Sequence, residues 1–178
     1  MLKMFSTQLA GLLGRIQEKQ EENLEDAARL LAQAAAGEGR IFIFGAGEME
    51  AIALEATLGA EPLSAAVNWD GENIEGFTAP DRALIAARFS GDPSALNAAK
   101  LLQKEGIPFA AISASLEGTD SDTLEELADV HVGLLLKKGL LPDETGGRFG
   151  FPAPIAGLFA YYGIKFIIDE ILAEYEEQ

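Results

Sequence analysis

The sequence has no cysteine and a single histidine, His131, so neither disulfides nor thiolate metal sites can hold the fold. A disulfide-stapled secreted class is thereby excluded, and a reducing compartment is expected. Without those residues only carboxylate sites for hard cations remain, and no Asp-rich calcium-loop pattern is present. No metal and no cofactor is expected. No apolar run approaches the roughly 18 residues that a membrane-spanning helix requires. Residues Met1 to Gly14 carry one lysine and lack the apolar core and small-residue cleavage site of a secretory signal. These absences together predict a cytoplasmic chain with no membrane partner.

Positive charge is also scarce. Against 13 Lys and Arg stand 29 Asp and Glu, a formal charge of -16, with acids crowded into Glu18 to Asp26 and Asp169 to Glu177. Nucleic-acid binders need clustered cations to neutralise phosphates, and here the basic residues are Lys137 with Lys138 and the isolated Arg82, Arg88 and Arg148. No nucleic-acid partner is expected. Neither terminal helix offers the cationic face of a membrane-surface helix. The acidic runs read as solvated helix faces that keep the chain soluble.

What is present is a chain of 178 residues, 48% apolar and 24% charged, enough to bury about 70% of its unfolded surface around one core. Leu9, Leu12, Leu13 and Ile16, then Leu24, Ala27, Ala28, Leu31 and Ala35, recur at helical spacing, predicting two N-terminal helices or one long one. Arg40 to Phe44 is a β-rich run that ends at Gly45, and Ala65 to Trp69, Arg82 to Ala87, Phe109 to Ile112 and Val130 to Leu136 read as further strands. Helices are predicted between them at Glu48 to Leu58, at Ala95 to Lys104, and at Thr123 to Ala128 with Asp120 and Asp122 as capping acids. Apolar strands alternating with helices predict a three-layer α/β/α sandwich on a five-stranded parallel sheet, Rossmann- or flavodoxin-like. One domain is expected over residues 1–178: a helical segment 4–36, a sheet core 40–136, a connection 137–153 and a helix 154–176. The connection, with four glycines and two prolines, is long for a structureless loop and is read as a lid or a plain surface loop.

In such sheets ligands bind beyond the carboxyl ends of the strands, where helix N-termini favour anions. Three strand ends carry candidates. In Gly45-Ala46-Gly47-Glu48-Met49 two glycines permit a tight turn and close approach to a ligand. A dinucleotide fingerprint would place a third glycine where Glu50 stands, and Asp70 lies 25 positions after Gly45 rather than about 20. Dinucleotide binding is therefore an alternative with an incomplete motif. In Arg88-Phe89-Ser90-Gly91-Asp92-Pro93-Ser94, the hydroxyls of Ser90 and Ser94, the backbone at Gly91 and the charge of Arg88 suit a phosphate; simple helix capping is the competing reading. Ser113-Ala114-Ser115 follows the fourth strand and by itself reads as a turn.

The combined order of strand, Gly-x-Gly, helix, strand, strand, Ser-Gly, helix, strand and Ser resembles the sugar isomerase (SIS) domain, to which phosphoheptose isomerases belong. The resemblance runs from about Leu24 to Tyr175 and includes Ala-Asp-Val at 128–130. It implies a Gly-x-Gly-x-Ser loop after the first strand and a Ser-x-Ser-Gly-x-Thr loop after the third, together holding a substrate phosphate. This chain matches at Gly45, Gly47, Ser90 and Gly91 and departs at Met49, Arg88 and Pro93, where hydroxyl residues are usual. The motif is degenerate, with Arg88 as the compensating charge. The resemblance implies a sugar-phosphate ligand, aldose-ketose isomerisation, and a homodimer or higher homo-oligomer.

Isomerisation needs a base near the working pH. The resembling enzymes use a Glu and a His on the final helix, where this chain has no His; His131 sits inside a strand and reads as a core residue. Glu48 and Glu55 are the catalytic candidates, at a helical spacing that would put both on one face, with Glu50 and Glu61 near the first loop. Lys165 or Tyr161 would assist. Beside dinucleotide binding, three functions thus remain open: a sugar-phosphate isomerase, a non-catalytic sugar-phosphate sensor, and a partner-binding protein using a face with Phe159, Tyr161, Tyr162 and Phe166.

Overall fold

Ile41–Gly45 (β1), Ala66–Asn68 (β2), Arg82–Phe89 (β3), Phe109–Ala114 (β4) and Val130–Gly133 (β5) form one parallel sheet in the order β2-β1-β3-β4-β5. The structure is a computed structural model and describes all residues except Glu117, Thr119, Asp120, Ser121 and Gln178. Helices Leu2–Lys19 (α1), Glu21–Ala35 (α2), Glu50–Leu58 (α3) and Ala153–Glu176 (α6) cover one face; Pro93–Glu105 (α4) and Leu124–Leu127 (α5) lie on the other. The result is the expected α/β/α sandwich.

The alternation of side chains along each strand decides the two cores. Ile41 and Ile43, Leu84 and Ala86, and Ala110 and Ile112 point toward α2, α3 and α6. Phe42, Ala83, Ile85, Phe109 and Ala111 point toward α4 and α5, where Phe42 stacks on Phe77 at 3.7 Å between ring centroids. All six residues of β4 are buried, as a central parallel strand with both faces covered requires. On α2, Leu24, Ala27, Ala28, Leu31 and Ala32 form the inward stripe; full burial of a side chain like Leu31 contributes about 1.5–3 kcal/mol.

Local chemistry sets the ends. Asp92 accepts a hydrogen bond from the Ala95 amide at 3.0 Å, and Pro93 takes the first helical position, so α4 starts there. For α5 the cap is Thr123, in a reciprocal box with Glu126, whereas Asp122 pairs with Lys100 at 2.7 Å. The other proposed capping acid, Asp120, lies outside the described residues. β5 ends at Gly133, short of Leu136, and Leu135 adopts a positive φ of 53°. The segment after it is built rather than irregular. Leu141–Pro142 (β6) pairs antiparallel with Arg148–Phe149 (β7), Asp143 accepts from the Thr145 and Gly147 amides, and Arg148 donates to the Gly139 and Leu140 carbonyls.

Candidate functional site

The chain crosses from one side of the sheet to the other between β1 and β3, neighbours whose following helices, α3 and α4, lie on opposite faces. Such a switch point opens a crevice at the strand carboxyl ends. A cavity of about 370 Å³ occupies it, lined by Ala46, Gly47, Glu48, Arg88, Phe89, Gly91, Asp92, Pro93 and Leu116.

The first wall is a single 3₁₀ turn, Gly47–Met49, between β1 and α3. A β-carbon on Gly45 would overlap the Met49 carbonyl, and Gly47 sits at φ +56° with open space around it. The two glycines therefore have separate jobs: one lets the turn fold back on the strand, the other lets it face the cavity. At the start of a helical segment the first backbone amides lack intrahelical acceptors, though in this turn the Ala46 amide donates to the Ala86 carbonyl and the Met49 amide to the Ala46 carbonyl.

The second wall is the end of β3. Arg88 Nε donates to Glu48 Oε1 at 2.5 Å across the cavity mouth. The guanidinium holds the Glu48 carboxyl below the usual carboxylate range, and Glu48 raises Arg88 in return. With side chains 52% and 37% exposed, a pair of this kind is worth about 0–1 kcal/mol. The terminal nitrogens of Arg88 make no hydrogen bond with the described residues. Asp92 is already committed to the Ala95 amide and to the Ser94 hydroxyl at 2.7 Å, so the N-terminus of α4 is filled by its own cap.

The remaining candidates are placed differently from expectation. Met49 is fully buried, its side chain against Ile52 and α6, so only its backbone belongs to the turn. Ser90 is fully buried too: its hydroxyl accepts from the Leu116 amide at 3.1 Å, and its own amide donates to the Ala114 carbonyl. It braces the third loop against the second rather than lining the cavity. Ser94 is exposed and bonded to Asp92. Ser113 is buried with its hydroxyl 2.8 Å from His131 Nε2, an imidazole whose pKa burial lowers; neither residue lines the cavity. Ser115 is exposed on the same loop and also outside the lining, which the loop enters through Leu116.

Glu48 and Glu55 do not share a face. Glu55 accepts a hydrogen bond from the Tyr162 hydroxyl at 2.6 Å, on the α6 side. Lys165 is buried and pairs with Asp169 at 2.6 Å, and the Tyr161 ring is fully buried, its hydroxyl without a hydrogen-bond partner among the described residues. Asp70 is exposed, and its Oδ1 accepts from the Glu72 and Asn73 amides of its own turn, both at 2.8 Å. Among the described residues no group of three or more potential ligands could hold a metal ion, and no helix is long and apolar enough to cross a membrane.

The profile of the family described as a domain of unknown function, DUF2529, matches residues 1–172. The chain belongs to this family. It is 39% identical over 175 residues to the uncharacterized protein YwjG of Bacillus subtilis strain 168, covering 98% of this chain and 99% of that one. Among solved structures, the sugar isomerase domain of an RpiR transcription factor from Sphaerobacter thermophilus superposes with a TM-score of 0.60 at 14% identity, covering 99% of this chain and 91% of the other. The NanR protein of Vibrio vulnificus, complexed with ManNAc-6P, gives 0.57 at 15% identity, covering 97% and 63%. At such identities the likeness establishes the fold, and this DUF2529 chain has the fold of SIS domains.

Proposed function

We propose that this DUF2529 protein binds a sugar phosphate at the β1/β3 switch point, with the phosphate on Arg88 and the Gly45–Met49 turn. One observation carries the reading: the guanidinium of Arg88 and a glycine-built turn open into the same crevice of an SIS-type fold. The ligand of the NanR structure, ManNAc-6P, supports the same chemical class. Gly91 leaves room on the opposite wall, where a β-carbon would sit 2.9 Å from Leu116 Cδ1. Ser90 serves by fixing the third loop to the second, Ser113 by tying β4 to β5 through His131, and Ser94 by holding the cap of α4.

As an isomerase, the protein would use Glu48 as the base, since it is the carboxylate that lines the cavity without capping a helix. The sensor reading draws support from the same residue. A base works best with a pKa near the operating pH, and Arg88 holds Glu48 well below it. A stripe on α6, Ile155, Phe159, Tyr162 and Phe166, with Ile155 44% and Phe166 55% exposed, is proposed as the homodimer face. It borders an apolar groove of about 490 Å³ that also includes Gln17 and Leu24.

A thermal-shift screen with pentose, hexose and heptulose phosphates tests the binding claim. A specific ligand at a hundredfold its dissociation constant adds about 2.7 kcal/mol, which for a chain of this size raises Tm by roughly 5–11 °C. Arg88→Ala should remove most of that shift, and coupled turnover assays on each hit then separate isomerase from sensor. A wild-type protein that no phosphosugar stabilises, or an Arg88→Ala variant that keeps the full shift, refutes the assignment.

A further inference from the structure

In the resting site Arg88 already holds an anion. Glu48 Oε1 accepts from Arg88 Nε, the nitrogen that with a terminal N–H forms the fork used for bidentate recognition of phosphate. The two residues lie 40 positions apart, Glu48 in the 3₁₀ turn and Arg88 at the end of β3, and both line the cavity. Both side chains are partly exposed, so Glu48 has room to turn outward. Asp92, the other carboxylate of the lining, has no such freedom: the Ala95 amide and Ser94 hydroxyl hold it in place.

The charge of the lining leads to the same point. Among the described lining residues two carboxylates face one guanidinium, so with Glu48 on Arg88 the crevice carries net negative charge and repels a phosphate. Once Glu48 turns away, Arg88 balances Asp92, and the Gly47–Met49 turn faces the vacated position. We infer that Glu48 is a displaceable counter-ion that occupies the phosphate position on Arg88, so that a phosphorylated ligand enters by exchanging with it. The inference rests on the phosphosugar reading above and adds a selectivity device. Monoanionic carboxylates compete poorly with the resident one, whereas a phosphate dianion with more acceptor oxygens replaces it. Release from Arg88 also returns the Glu48 carboxyl toward its ordinary basicity only when ligand is bound.

The test uses inorganic phosphate as the probe, with ³¹P line broadening at constant ionic strength on the full chain. Wild type, Glu48→Gln, Arg88→Ala and the double variant are compared, and the Tm of each unliganded protein confirms folding. Glu48→Gln should bind phosphate about 2- to 5-fold more tightly than wild type, the factor expected for removal of one exposed ion pair. Arg88→Ala should weaken binding, and adding Glu48→Gln to it should bring no gain. If Arg88→Ala weakens binding while Glu48→Gln leaves it unchanged or weaker, the exchange inference falls and the phosphate site stands. If phosphate binds none of the four, or all four equally, both fall.

Discussion

Asp81 lies at the end of the sheet opposite the crevice, and its replacement separates fold stability from ligand binding. The residue is fully buried and accepts from the Arg40 amide at 2.8 Å, the Thr78 amide at 2.6 Å, the Thr78 hydroxyl at 3.0 Å and the Arg40 guanidinium at 3.0 Å. Asp81→Asn keeps the shape but turns one oxygen into a donor. Whichever way the amide is set, its NH₂ faces either the Arg40 or the Thr78 backbone N–H, and that donor loses its acceptor. An orphaned buried donor costs about 1–3 kcal/mol, and losing the ion pair with a half-exposed Arg40 adds up to about 1. The sum, about 1–4 kcal/mol at neutral pH, lowers Tm by roughly 2–16 °C for a chain of this size. Burial alone would raise the Asp81 pKa, but the Arg40 guanidinium, the Thr78 and Arg40 amides and the Thr78 hydroxyl outweigh it and hold it below 3.8. The folded value being depressed, the stabilisation is full above the unfolded value and is lost as pH falls through the folded one. Urea midpoints of the two proteins should therefore differ by a constant amount above about pH 5 and converge below 3.8. A difference under about 0.5 kcal/mol at pH 7, or one that persists unchanged in acid, would refute this account. Phosphosugar affinity of the folded variant should match wild type.

Gly45→Ala tests the turn itself. Its β-carbon would overlap the Met49 carbonyl, so the backbone must shift; we expect about 1–3 kcal/mol of destabilisation, read from urea melts, together with loss of the phosphosugar thermal shift. A variant of wild-type stability that still binds would show that the turn tolerates a side chain. Phe166→Glu adds charge to the exposed α6 stripe, and sedimentation velocity should show a dimer for wild type and a monomer for the variant. Wild type sedimenting as a monomer at micromolar concentration would remove that face as an interface.

The layered fold was readable because each strand is an apolar run between turn residues. Arg40 to Phe44 followed by Gly45 could only be a short buried strand, and β1 lies there. Two features escaped. Two N-terminal helices were one of the two readings, but what fixes the break at Gln20 was not legible: its side chain accepts from the Gly133 amide at 2.8 Å, a contact across 113 positions that no local pattern announces. The ribbon of β6 and β7 has strands of two residues each, too short for any periodicity, and depends on Asp143 and Arg148 bonding to backbone.

The site was legible where backbone geometry decides and illegible where side chains choose partners. Gly45 and Gly47 announce the turn because few residues fit there, and Arg88 stood out as a lone charge at a strand end. Met49 carried a signal that pointed to the core: with Ile52, Ala53 and Ala56 it repeats at helical spacing, and all four are fully buried. The hydroxyls gave none. Ser90 and Ser113 look like ligand groups by type, yet the partners that occupy them, Leu116 and His131, are 26 and 18 positions away. The pairing of Glu48 with Glu55 failed for a geometric reason. A uniform helix of 3.6 residues per turn puts them on one face, but Glu48 belongs to a 3₁₀ turn of three residues per turn ahead of α3. The change of pitch sends one carboxylate toward β3 and the other toward α6, where Arg88 and Tyr162 meet them. Among the described residues that rotation leaves Glu48 as the one carboxylate of the crevice that caps no helix, so an isomerase reading routes proton transfer through the residue that also pairs with Arg88.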